Sequence, residues 1–302
     1  MDDRPCRCVL LKETRVKIWK TLAASTLALA TATPAFALEF GYSVATDNFL
    51  YEINLTTGVA TRVGAAQVAL AQVEGMAFLS PGVLIGIGGN NPQASRQIWN
   101  LSTPPGSFLS QTTLASDNDA GLASHNGQVF VTLGFNFTSM IFEVDANNGS
   151  NLQSEIITAN QGDLYADSLA INSSGQAFIV DPIDTDALYQ LDLGGVSFGA
   201  ATLIGTDLGL GDIAAQSGLD FTSTGVLHML LSDGGLYTLS TTTGLATAIA
   251  TVTFNNNPLT FLGGFAIGDV NAVAAVVVPE PATMTLAMLG LTALTLLRRE
   301  RR

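Results

Sequence analysis

Five stretches of this chain are variations on one another. They read LYEINLTTG from Leu50, IWNLSTPPG from Ile98, IFEVDANNG from Ile141, LYQLDLGG from Leu188 and LYTLSTTTG from Leu236. Each runs aliphatic, aromatic, polar, aliphatic, and then enters a turn containing glycine. The aromatics Tyr51, Trp99, Phe142, Tyr189 and Tyr237 lie 48, 43, 47 and 48 residues apart. A period in the forties restricts the chain to repeat architectures, in which each unit buries its apolar face only against its neighbours.

A second set keeps step with the first: EGMAF from Glu74, AGLAS from Ala120, DSLAI from Asp167, SGLDF from Ser217 and GGFAI from Gly263. Turn clusters follow at 79–82, 124–127, 172–175 and 222–225, each leading into a β-rich run such as VLIGIGG or QVFVTLG. Gly and Asn at these tips suit backbone positions with positive φ. One repeat therefore holds four short strands: a small-residue strand, the strand after the glycine turn, the aromatic strand, and a Thr/Ala/Val-rich strand such as VATRVG. Four strands per unit of this length make an all-β fold of the β-propeller kind. The last small-residue strand, near Gly264, has no partners of its own, and FGYSVATDNFLYEI near the N-terminus has no small-residue strand before it. Joining the two completes a blade and leaves no open sheet edge. The count predicts five blades, with a six-bladed ring holding one degenerate blade as the alternative.

The ends read as addresses. Residues 1–20 carry Arg4, Arg7, Lys12, Arg15, Lys17 and Lys20, and an apolar small-residue run then closes on Ala35-Phe36-Ala37. A basic head, a short apolar middle and an A-x-A exit make a secretory signal peptide over 1–37, cleaved after Ala37. The alternative, a first membrane helix, is opposed by the shortness of the run and by Pro34. At the other end Pro279-Glu280-Pro281 precedes an apolar run from Ala282 to Leu297 and then Arg298, Arg299, Arg301 and Arg302. As a helix the run reaches roughly 24 Å, against a bilayer core of about 30 Å. It inserts transiently in the inner membrane, with the arginines on the cytoplasmic side.

This tail, residues 279–302, resembles the PEP-CTERM sorting signal of Gram-negative bacteria. The resemblance implies removal by an exosortase and a protein at the cell surface or released from it, often alongside exopolysaccharide. Trimming both ends leaves a domain at 38–278. Cys6 and Cys8 depart with the head, so no disulfide remains. Arg62 and Arg96 are the only basic residues left, against 20 acidic ones, a net charge of −18. Such a surface repels phosphate backbones and excludes nucleic acid as a partner. It favours divalent cations or neutral partners, although solubility outside the cell accounts for it as simply. The repeat is also loosely similar to bacterial propellers of the quinoprotein type, but the cofactor residues of such enzymes are missing.

Candidate sites are few. The five aromatics are expected to fill the space between blades, each contributing about 2–3 kcal/mol on burial; Trp99, before a Pro-Pro-Gly turn, is the exception that could stack on a sugar. Asp145 and Asp192 share a repeat position with Asn54, Ser102 and Ser240, where a polar side chain caps the following turn. Asp181, Asp184 and Asp186, on one loop, form a candidate cation site, with calcium the ion in view. Glu74 and Asp167 share a repeat position at the start of an innermost strand, near the channel mouth. As a pair they are the candidate acid and nucleophile or base of a glycosidase, although no third acid is evident there. Arg62 and Arg96 read as isolated. The expectation is an exported, non-catalytic surface or extracellular-matrix protein without a cofactor, binding glycan, cation or protein through one propeller face. The alternatives are a glycan-active hydrolase using Glu74 and Asp167, and a purely structural envelope protein.

Overall fold

The computed structural model describes residues 39–64, 73–88, 96–102, 107–112, 114, 119–135, 138–159, 164–182, 185–211, 213, 216–261 and 263–268. The signal peptide with Ala35 and Ala37, the tail with its Pro-Glu-Pro motif, helix and arginines, and Asp184 lie outside the described residues.

Five antiparallel sheets form the ring. Blade 1 contains β1 (Phe40–Val44), β2 (Leu50–Asn54) and β3 (Ala60–Val63). Blade 2 contains β4 (Val73–Ser80), β5 (Val83–Gly88), β6 (Gln97–Asn100) and β7 (Ser107–Gln111). Blade 3 contains β8 (Ala120–His125), β9 (Gln128–Phe135), β10 (Thr138–Val144) and β11 (Asn151–Ile156). Blade 4 contains β13 (Ala170–Ile171), β14 (Ala177–Asp181), β15 (Ala187–Leu191) and β16 (Ala200–Gly205), with β12 (Thr158–Ala159) added in parallel on β16. Blade 5 contains β17 (Ser217–Phe221), β18 (Leu227–Leu231), β19 (Gly235–Leu239) and β20 (Ala246–Thr251), followed by a small hairpin of β21 (Thr253–Phe254) and β22 (Asn257–Pro258). The last strand, β23 (Ala266–Gly268), joins blade 1 as its innermost strand, with Phe40 opposite Gly268 and Tyr42 opposite Ala266. The expected five blades and their closure by strands from both ends are thus present. Among the described residues the sole helix is a 3-10 turn at Gly195–Ser197.

The repeat explains the ring. Strand side chains alternate with period two, and both faces of a middle blade are buried. In β15, Leu188 faces blade 5 while Tyr189 faces blade 3. The buried apolar side chains divide into five clusters, one in each interface between blades. Each repeated aromatic enters a different one: Tyr51 between blades 5 and 1, Trp99 between 1 and 2, Phe142 between 2 and 3, Tyr189 between 3 and 4, and Tyr237 between 4 and 5. Trp99 is half-buried and stacks edge-on against Phe108 at 5.7 Å rather than standing clear.

The second residue of each small-residue stretch is Gly75, Gly121, Ser168, Gly218 or Gly264. Innermost strands of adjacent blades meet there backbone to backbone. A Cβ on Gly121 would lie 2.5 Å from the carbonyl carbon of Ser168, and one on Gly75 would lie 2.7 Å from the amide nitrogen of Leu122. The turn tips follow the expected chemistry, with Asn126 at φ 51° and Gly127 at φ 80° in the hairpin between β8 and β9.

Candidate functional site

Every innermost strand begins at the same end of the ring, so the residues at those starts converge on one mouth of the central channel. Strand β6 also begins at that end, which brings Arg96 to it. The arginine backbone is fixed first: its carbonyl accepts from the Thr112 amide at 2.8 Å and from Thr112 Oγ1 at 3.0 Å. Its side chain then runs to Glu74, where Nη1 donates to Oε2 at 2.5 Å. The pair is enclosed, with side-chain exposures of 0% for Arg96 and 3% for Glu74. Arg96 Nε and Nη2 are buried and make no hydrogen bond. An unmet buried donor costs about 1–3 kcal/mol, so an oxygen atom brought within reach would be held firmly.

Around this pair the blades are tied across the mouth. Asp167, before β13, accepts from the Ser217 amide and from Ser217 Oγ, both at 2.9 Å, joining blade 4 to blade 5. Asp119, before β8, accepts from Tyr165 Oη at 3.0 Å and from Gln216 Nε2, reaching past blade 4 to blade 5. Burial pushes the Asp167 carboxyl well above the usual carboxylate range, against the pull of the Ser217 donors. Burial also raises Asp119, opposed by the Tyr165 hydroxyl and by the nearby charge of Arg96. The Tyr165 phenol is pushed up in turn, by burial first and then by Asp119.

The structure thus brings Glu74 and Asp167 to one mouth, as their repeat position implies, but each is engaged by a partner. Arg96 is not isolated: it is the counter-charge of Glu74, and their separation of 22 positions hid the pair from sequence. Arg62 pairs with Asp47 at 3.3 Å and lies over the Phe49 ring at 3.7 Å from its centroid. A third acid is present after all. Asp119 sits one residue before Ala120, and the register shift in β4 between Val73 and Gly75 makes Glu74 the extra residue of a bulge. Counting positions along the repeat therefore missed Asp119 by one.

Asp181 is fully buried at the mouth end of β14, where its charge adds to the raising of Asp167, and it accepts from Thr185 Oγ1 at 3.2 Å; Asp186, just before β15, has φ 46°. Among the described residues no three His, Cys, Asp or Glu side chains gather as metal ligands. Asp145, Asp192, Asn54 and Ser240 cap their turns, for example Asp145 Oδ1 accepting from the Asn147 amide at 2.8 Å. In blade 2 the cap is Asn100 rather than Ser102, whose hydroxyl accepts instead from the Leu84 amide.

At the opposite end of the channel a cavity of about 120 Å³ is lined by Ala77, Ala123, Ser124, Asp220 and neighbouring apolar side chains. Asp220 holds the fourth place of its small-residue stretch, where the other four repeats have Ala77, Ala123, Ala170 and Ala266. That single departure was the available signal for it. Its carboxylate accepts from the Ile267 amide of β23 and from its neighbour Phe221, each at 2.7 Å. Burial pushes it up to about 7, against the pull of those two amides.

Comparison with known proteins supports the address and the fold. Residues 277–302 match the PEP-CTERM protein-sorting motif. The chain is accordingly an exported protein, sorted by an exosortase to the cell surface or beyond. No curated protein matches it significantly. Among solved structures, the nidogen/laminin complex aligns at TM-score 0.50 with 11% identity, covering 77% of this chain and 99% of that one. A protein of unknown function from Bacteroides caccae aligns at 0.44 with 11% identity, covering 74% and 77%. Virginiamycin B lyase from Staphylococcus aureus aligns at 0.41 with 14% identity, covering 74% and 78%. At 11% identity the likeness to the nidogen/laminin complex concerns the fold alone.

Proposed function

We propose that this exported propeller is a non-catalytic surface or extracellular-matrix protein that binds an uncharged glycan at the polar mouth. The observation that carries the reading is the enclosed Arg96 guanidinium, which keeps two nitrogens, Nε and Nη2, without a hydrogen bond among carboxylates that already have partners. A hydroxyl or carbonyl oxygen of a sugar satisfies such donors. A polyanion would meet Glu74, Asp119 and Asp167 at the mouth and a net charge of −18 over residues 38–278. The engagement of Glu74 by Arg96 and of Asp167 by Ser217 favours binding over hydrolysis, since a general acid or nucleophile must be free to meet the scissile bond.

The test mixes the processed protein with polysaccharide from the producing cell and follows polymer size by light scattering after chromatography. Co-elution with unchanged polymer supports binding. Shortened polymer would make the protein a hydrolase, and absence of co-elution would leave a structural envelope role.

A further inference from the structure

Resting on that reading, we infer that the two ends of the ring have separate duties: the end where the chain enters and leaves faces the membrane, and the Glu74–Arg96 mouth is the outward face on which the neutral glycan docks. Strands β1 and β23 are antiparallel, and Phe40 lies opposite Gly268. The first residue of β1 and the last of β23 therefore sit together, at the end where innermost strands finish. The turn tips at 124–127, 172–175 and 222–225 and the Asp220 cavity belong to that same end. The mouth formed by Glu74, Arg96, Asp119, Asp167 and Gln216 is at the other end, where innermost strands start, and neither terminus of the described ring reaches it.

The sorting tail turns this geometry into an orientation. Ten residues, 269–278, separate Gly268 from Pro279. Fully extended they span at most about 36 Å. While the tail is held in the bilayer, the ring is thus tethered by the end that carries Gly268. The mouth, with Arg96 enclosed behind it, then lies at the end turned away from the membrane, where a polymer chain meets no steric competition from the bilayer.

The processed domain contains no cysteine, so single cysteines report each end without background. Thr46→Cys marks the mouth end, in the exposed loop between β1 and β2, and Ser174→Cys marks the terminal end, in the exposed turn at 172–175. Each purified, processed variant is treated with a maleimide carrying a 5 kDa polymer, in the presence and absence of the uncharged polysaccharide fraction from the producing cell. The expected result is a several-fold slowing of labelling at Thr46→Cys with no change at Ser174→Cys. Protection of Ser174→Cys, alone or equally with Thr46→Cys, would overturn the assignment. In cells with Pro279-Glu280-Pro281 replaced to retain the tail, labelling should be slower at Ser174→Cys than at Thr46→Cys; the reverse order would also overturn it. Co-elution of polymer with unmodified protein is scored separately, so loss of glycan binding itself is distinguished from binding at the wrong end.

Discussion

Removing Arg96 should reveal how much the buried pair at the mouth contributes. At 2.5 Å and an effective dielectric of about 20, the gross Coulomb attraction is about 7 kcal/mol. Desolvation of both groups offsets much of it. In Arg96→Met the glutamate loses its counter-charge inside the protein, and its escape is to take up a proton. For an ordinary glutamate with a pKa near 4.3, doing so at pH 7 costs about 3.7 kcal/mol, which bounds the charge penalty. The expected loss is about 3–4 kcal/mol, a fall in Tm of roughly 6–16 °C for a domain of this size. Because the escape consumes a proton, the single variant should recover stability as pH falls from 7 toward 5, by up to about 1.4 kcal/mol per unit relative to the unmodified protein. The double variant Glu74→Gln/Arg96→Met has no stranded charge and should melt within a few degrees of the parent. Thermal unfolding followed by circular dichroism at pH 7 and 5.5 measures all three. A single variant that loses less than about 1 kcal/mol, or a double variant as unstable as the single, would refute the claim that the pair is enclosed and mutually dependent.

Other expectations follow from the same geometry. Gly121→Ala places a methyl group against the Ser168 backbone and should cost about 1–3 kcal/mol in thermal melts, whereas Ser173→Ala in an exposed turn should stay within about 0.5 kcal/mol. Asp220 titrates near 7 when folded and near 3.8 in its reference state, so its protonation favours the fold at low pH and that support is lost as pH rises from about 4 through 7. The difference between parent and Asp220→Asn in Tm-versus-pH curves should follow that fall, and parallel curves would contradict it. Asp167→Asn keeps an acceptor for Ser217 while removing a charge that burial disfavours. It should leave Tm unchanged or raise it at pH 7, and a large drop would mean that the ionised form is what ties blade 4 to blade 5.

The blades were legible because packing demands repeat identically around a ring. An aromatic for each interface and a small residue for each backbone contact leave marks at a fixed spacing, and those marks fixed the blade count and its closure. The site was only half legible. Glu74 and Asp167 could be placed by repeat position, since the repeat sets which end of a strand a residue occupies. The engagement of Arg96 could not, because an ion pair closed through a strand turn has no local pattern, and the bulge at Glu74 displaced the count by which Asp119 would have been found. Asp220 was visible as one acid among four alanines, but its meaning depends on the amide of Ile267, which only the closing strand brings near.

The contribution of β23 to blade 1 also sets a schedule for the protein's birth. A chain threaded outward from its N-terminus delivers the strands of blades 2 to 5 in complete sets, but blade 1 stays one strand short until residues 266–268 emerge. Until then β1 has an open edge and Phe265 is missing from the cluster that seals blade 5 to blade 1. The circle is therefore the last thing to form, and only ten residues then separate it from the motif at which the tail is read. The strand that closes the ring and the signal that sorts the chain thus leave the cell almost together, at the end of export.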